Sequence, residues 1–326
     1  MGIFRRKREG DPSEVVRLYY ASDIHGSEVL WRKFLNAAEA YRADVLVMGG
    51  DVTGKVVIPL VQQPDGSYVV ELFGSRHQIG EDEREAWEHR IRGNGMYPHV
   101  MAPEDVARVA ELDEDAKEQW FADVMRETFD GWLALAEERL NGHTRVFVMP
   151  GNDDPEGVDR AIEAAHKVEP CDGTVVEFDG HTMISLGYSN RTPFDSPREL
   201  EEDELYRRIA ALADQAGSME RCIFNLHVPP YDSSLDTAAE LTEDLEVVMS
   251  GSAPKMIPVG STAVREAIEK YQPLLALHGH VHESAGAARI GRTLCINPGS
   301  DYHTGRISGC LIQLRPGRAL HQFVTG

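Results

Sequence analysis

The sequence predicts an α/β fold with a mostly helical segment inserted after its second strand. Three observations predict it. The chain opens as strand, helix, strand. Successive apolar runs end in Asp, Asn or His just where each strand should finish. The interval between Asp51 and the next buried run is long, acidic and helically periodic.

Taken in order, residues 15–22 read as a buried strand. Residues 27–42 follow with Val29, Leu30, Phe34, Ala37, Ala38 and Tyr41 at helical spacing, and residues 45–48 form a second strand. Residues 56–74 read as a hairpin turning at Pro64-Asp65-Gly66. Residues 81–92 read as a helix, and residues 103–140 as a longer helical stretch whose aromatics, Trp120, Phe121, Phe129 and Trp132, suit packing on a core. A third buried strand spans 145–149, then a helix spans 156–165. A hairpin covers 173–189 with Asp179-Gly180 as its tight turn. A helix is expected over 198–216, a strand over 221–226, a helix over 262–271 and a strand over 273–277. Antiparallel strands with Gly-rich turns close the chain.

Composition narrows the classes. The chain has 326 residues, 42% hydrophobic and 27% charged, as ordinary globular proteins do. No apolar run reaches the roughly 18 residues of a membrane span. The N-terminal residues 1–14 are basic, then acidic, without the apolar core of a secretory signal. Arg6 stands where a myristoylation pattern needs Ser or Thr. Cys171, Cys222, Cys295 and Cys310 form no CxxC pair, which suits buried reduced thiols and a cytoplasmic location. A formal net charge of −21 argues against nucleic acid as partner but leaves room for a phosphate whose charge metal ions offset.

The polar residues at the strand ends are Asp23, His25, Asp51, Asn152, His227, His280 and His282. Any one of them alone fits a turn, a cap or a surface loop. Seven together at the carboxyl ends of α/β strands point to a site. Mixed oxygen and imidazole donors without thiolate suit two divalent cations of the Mn²⁺, Fe or Zn²⁺ kind. Asp-x-His and His-x-His on extended backbone put both side chains on one face. A carboxylate such as Asp51 can bridge ions about 3.5–4 Å apart.

In their order "DIHG", "GGDVTG", "PGNDDP", "NLHVPPYD" and "HGHVH", followed by "INPGSDYHTG", these motifs resemble the calcineurin-like metallophosphoesterase superfamily. The small stand-alone prokaryotic phosphoesterases are the nearest type. The resemblance implies a four-layer α/β/β/α sandwich of two packed mixed sheets flanked by helices. It also implies one metallophosphoesterase domain over residues 1–326, with the insertion at about 55–142. By the same resemblance Asp23, His25 and His282 bind one metal, Asp51 bridges, and Asn152, His227 and His280 bind the second. The implied reaction is attack of a metal-bridging hydroxide on a phosphoester. The implied partner is a small phosphorylated substrate, a nucleotide among the candidates, with no membrane; a homo-oligomer is left open. The rival readings are a catalytically silent scaffold or regulatory protein of the same fold, and a nuclease.

The chain departs from the family pattern at Asp153, where many members have His. Near two cations a carboxylate stays ionised, so Asp153 is a poor proton donor near neutral pH and repels a phosphate dianion. That favours phosphodiesters or phosphates with good leaving groups. His303 is a spare imidazole that could serve as acid or phosphate contact. His278 is read as a supporting residue, and Asp154 as a cap of the next helix or a ligand-orienting group.

Overall fold

In the computed structural model the described residues are 15–242 and 244–326; the basic N-terminal segment read from sequence lies outside them. Two six-stranded mixed sheets lie at the centre. The first runs Arg318–Thr325, Ser308–Arg315, Val16–Ala21, Val45–Met48, Arg145–Val148 and Glu169–Pro170. Its four last-named strands are parallel to one another. Ser308–Arg315 is antiparallel to both of its neighbours, Val16–Ala21 and Arg318–Thr325. The second sheet runs Gly286–Ile290, Thr293–Asn297, Leu275–Leu277, Cys222–Leu226, His181–Leu186 and Val175–Phe178, parallel in its middle and antiparallel at both edges.

Alternation along the strands explains the layering. Leu18, Tyr20, Val45, Val47 and Phe147 of the first sheet face Met183, Ile223, Leu275, Leu277 and Ile296 of the second, forming a dry seam between sheets. The intervening residues Tyr19, Ala21, Leu46, Met48 and Val148 face outward against the helices Glu28–Ala40 and Glu114–Arg139. On the far side Ile184, Leu186, Phe224 and Ala276 pack on the helices Glu202–Ala213 and Thr262–Tyr271. The four layers implied by the motifs are therefore present.

Between Asp51 and Arg145 the chain is mostly helical, as the sequence suggests, but it carries more strand than expected. Beyond the hairpin of Val56–Gln62 and Tyr68–Leu72, the strands Ser75–Ile79 and Met96–Met101 complete a four-stranded sheet. Both lie at its edges. Ser75–Ile79 is largely exposed and has no apolar alternation, and Met96–Met101 contains Pro98, which an edge strand tolerates. The expected long helix is two, Pro103–Ala110 and Glu114–Arg139, the second capped by Asp113 accepting from the Ala116 N–H.

Other expected bounds shrink. The helix placed at 156–165 is Val158–Glu163, and that at 198–216 is Glu202–Ala213, preceded by the short strand Glu199–Leu200. Residues 237–258 add short strand pairs, Thr237–Ala239 with Met256–Pro258 and Met249–Ser250 with Ala253–Pro254, which no apolar periodicity announces.

Candidate metal centre

Every ligand-type residue sits just past the carboxyl end of a parallel strand. Asp23 and His25 follow Val16–Ala21, Asp51 follows Val45–Met48, and Asn152 follows Arg145–Val148. His227 follows Cys222–Leu226, and His280 and His282 follow Leu275–Leu277. Open α/β sheets build sites at this edge. The backbone turns sharply to aim the side chains: Asp23, His25, Asp51 and His280 have φ of 58, 39, 50 and 65°. Non-glycine residues in that region cost about 1–3 kcal/mol each and persist where the surroundings hold them.

The donors converge. His25 Nε2 lies 3.0 Å from His282 Nε2, and His282 Nε2 is 3.4 Å from Asp23 Oδ1. On the other side Asp51 Oδ2 is 3.3 Å from His227 Nε2 and 3.7 Å from His25 Nε2, so it stands between the two groups. Asn152 Oδ1 lies 3.0 Å from His227 Nε2 and 2.7 Å from His280 Nδ1. Asp23, His25 and His282 form one set with metal-holding spacing; Asp51, His227 and His280 form a second. The structure thus brings all seven predicted residues together. Asp23, His25, Asp51, Asn152 and His227 are buried, while His280 and His282 are half-buried at the open side.

Neighbouring backbone groups fix these donors. His227 Nδ1 lies 2.8 Å from the Gly49 carbonyl, which selects the tautomer whose Nε2 lone pair faces the site. The His280 N–H donates to Asp23, and the Asp153 N–H donates to Asp51 Oδ1 at 2.9 Å. Gly279 must be glycine, because a Cβ there would lie 2.2 Å from Asp23 Oδ2.

Charge follows the same pattern. Burial opposes ionisation of Asp51, but His227 and His25 outweigh it and hold the carboxyl well below the usual range. Burial likewise opposes protonation of His227, yet Asp51 and Asp23 raise it to about 10. Burial, with His227 beside it, pushes His280 down to about 4. Two buried carboxylates therefore draw positive charge into the pocket, a charge that a proton on His227 Nε2 or a cation bound in its place can supply. This donor set, oxygen and imidazole without thiolate, fits divalent cations.

Asp153 lies at the mouth. Its Oδ2 pairs with Lys55 Nζ at 2.5 Å, and its Oδ1 accepts from Ser196 Oγ at 2.6 Å and from Asn152 Nδ2 at 3.2 Å. One Asp153 oxygen also lies within 4.8 Å of ligand atoms of His25 and Asp51. Lys55 alters the reading of Asp153, since the repulsion expected of a bare carboxylate is largely neutralised by this cation. Sequence reasoning missed Lys55 because a lysine in a glycine loop carries no motif signal. It also missed Tyr302, whose ring centroid is 4.8 Å from that of His25 and 5.9 Å from that of His282. Its neighbour His303 is 64% exposed, with Asp301 Oδ1 4.0 Å away. The ring that walls the site in this loop is thus the tyrosine.

Asp154 does not cap the following helix, whose N-cap is Gly157. It is fully buried and accepts from the N–H groups of Val52, Thr53 and Gly151 and from Thr53 Oγ1. It ties the Asp51 loop to the Asn152 loop. His278 is buried with Nδ1 2.9 Å from the Leu226 carbonyl and 3.1 Å from that of Val228, the supporting position the sequence suggests.

Comparison with known proteins gives a relative and a fold. No family model matches the chain. The uncharacterized protein MJ1162 of Methanocaldococcus jannaschii is 30% identical over 166 residues, which are 50% of this chain and 67% of that protein. The chain belongs to the same family as MJ1162. A solved crystal structure covering 95% of this chain and 99% of its own superposes with a TM-score of 0.56 at 16% identity, which establishes a common fold. TT1561 of Thermus thermophilus aligns over 95% of this chain and 99% of its own, with a TM-score of 0.49 and 14% identity.

Proposed function

We propose that this chain, whose motifs resemble the calcineurin-like metallophosphoesterases and whose four layers suit them, is a dinuclear-metal phosphoesterase. Its preferred substrates are phosphodiesters or phosphates with good leaving groups. The observation that carries this reading is the pair of ligand sets, Asp23–His25–His282 and Asp51–His227–His280, meeting across Asp51, with Asn152 joined to His227 and His280 of the second. Asp23, His25 and His282 would hold one cation, and Asn152, His227 and His280 the other, with Asp51 shared. Mn²⁺, Fe or Zn²⁺ suits these donors.

Two such cations supply Lewis acidity at phosphoryl oxygens and lower the pKa of water towards neutrality. The protein's own part is orientation. Asp51 is aimed by the Asp153 N–H, Asp23 by the His280 N–H, and His227 by the Gly49 carbonyl. At the mouth stands an ion pair, Lys55 with Asp153, where an imidazole could have donated a proton. A leaving group that departs without much proton help suits that arrangement. The substrate is a small phosphorylated compound, a nucleotide among them. Four buried, unpaired cysteines support a reducing, cytoplasmic setting, and no helix among the described residues is long and apolar enough to cross a membrane.

The test is hydrolysis of bis-p-nitrophenyl phosphate and p-nitrophenyl phosphate by protein loaded with Mn²⁺, Fe or Zn²⁺, beside EDTA-treated protein. Metal-dependent turnover with the diester favoured is expected. Absence of turnover with every metal would leave a scaffold of the same fold.

A further inference from the structure

Lys55 has no assigned part in the ligand sets, yet the structure holds it at their rim. Its backbone follows Gly54, whose N–H donates to the Tyr97 hydroxyl at 2.6 Å, so the residue leaves a fixed point. Its Nζ is 2.5 Å from Asp153 Oδ2, and the Lys55 side chain is 56% exposed against 13% for Asp153. Asp153 does not depend on Lys55 for partners, because Ser196 Oγ and Asn152 Nδ2 already donate to its other oxygen. An ammonium has three N–H donors. Among the described residues Asp153 is the one acceptor that Lys55 meets, and the lysine side chain is half exposed, so the ammonium has donors left for a further acceptor beside Asp153.

A half-exposed ion pair contributes about 0–1 kcal/mol to stability, so folding alone gives little reason for this cation. An anion approaching a chain of net charge −21 needs local positive charge, and a carboxylate at the mouth makes that need greater. We propose that Lys55 recognises the substrate's phosphoryl group, its ammonium bridging Asp153 and an anionic oxygen of the phosphate ester. Asp153 and Ser196 then act as positioning residues that set where the ammonium stands. The inference rests on the phosphoesterase reading above.

The experiment compares wild type, Lys55→Ala and Lys55→Arg, each loaded with Mn²⁺. It measures metal content, calorimetric binding of inorganic phosphate, and steady-state hydrolysis of the diester. A charge-assisted hydrogen bond contributes about 1.5–3 kcal/mol, or roughly ten- to a hundredfold in affinity. Lys55→Ala should therefore weaken phosphate binding about tenfold or more and raise KM more than it lowers kcat. Two metals per chain should remain, and Lys55→Arg should restore most of the phosphate affinity. Phosphate affinity within threefold of wild type in Lys55→Ala, or loss of metal from that variant, overturns the proposal while the phosphoesterase reading stands. Wild-type protein that binds metals but neither binds phosphate nor hydrolyses the diester overturns both.

Discussion

Asp154 shows how one side chain can hold a site without touching what the site binds. Four donors from two loops converge on its buried carboxylate. Burial and the nearby Asp51 push its pKa up to about 6, so those donors are what favour the ionised form. Asp154→Ala strands several buried donors at about 1–3 kcal/mol each. The expected loss is about 3 kcal/mol or more in urea unfolding, and a loss below about 1 kcal/mol would show that the loops are held some other way. Asp153 tests the chemistry instead. Asp153→His restores a proton donor and removes the partner of Lys55, so turnover of alkyl monoesters should rise relative to the diester. If the ratio does not move, the absence of an imidazole is not what sets the preference.

At the scale of elements, the segment between Asp51 and Arg145 is joined to the first metal-type motif by backbone contact. The Gly95 Cα faces the His25 carbonyl so closely that a Cβ would lie 2.2 Å from that oxygen, and Gly95 has a φ of +74°. Beside it, Tyr302 packs over His25. Arg92 of the helix Glu81–Gly93 also reaches Glu28 at the start of the helix Glu28–Ala40, 3.4 Å away. Gly95→Ala should therefore displace the His25 turn. The expected result is metal affinity weakened about tenfold or more, read by calorimetry, with little change in helix content by circular dichroism. Unaltered affinity would mean that the His25 turn yields freely.

For the whole molecule, the two sheets bring together loops from positions 23 to 282 of the chain, and that gathering has an energetic cost. Four residues of the site have left-handed backbone, and the two carboxylates Asp23 and Asp51 are buried close together. A ligand at a hundred times its Kd adds about 2.7 kcal/mol to stability. Mn²⁺ should raise the Tm by about 4 °C over EDTA-treated protein, and equal melting curves would contradict a tight site. The core offers a separate check. Burial pushes Cys171, Cys222, Cys295 and Cys310 up to about 12. The thiols should be inert to alkylation at pH 8 until the protein is denatured. Because the folded thiols ionise later than the unfolded ones, stability should fall as pH rises from about 9 towards about 12. Rapid labelling of the native protein would contradict a sealed core, Cys171 and Cys310 lying between the sheets and Cys222 and Cys295 under the helices.

The sequence by itself determined the main strands, their order along the chain and the seven ligand-type residues at their ends. Apolar alternation and polar termination are local properties that survive without a partner. Asp23 and His282, far apart in the chain, belong together by motif and donor chemistry alone. The partnerships at the rim were decided only by tertiary structure. Lys55 meets Asp153 from a different loop, Tyr302 rather than His303 covers His25, and Asp154 clasps two loops instead of capping a helix. Edge strands such as Ser75–Ile79 and Met96–Met101 also waited for the fold. Their pairing comes from backbone hydrogen bonds to a neighbour, and one buried face gives too faint a pattern to read along a single strand.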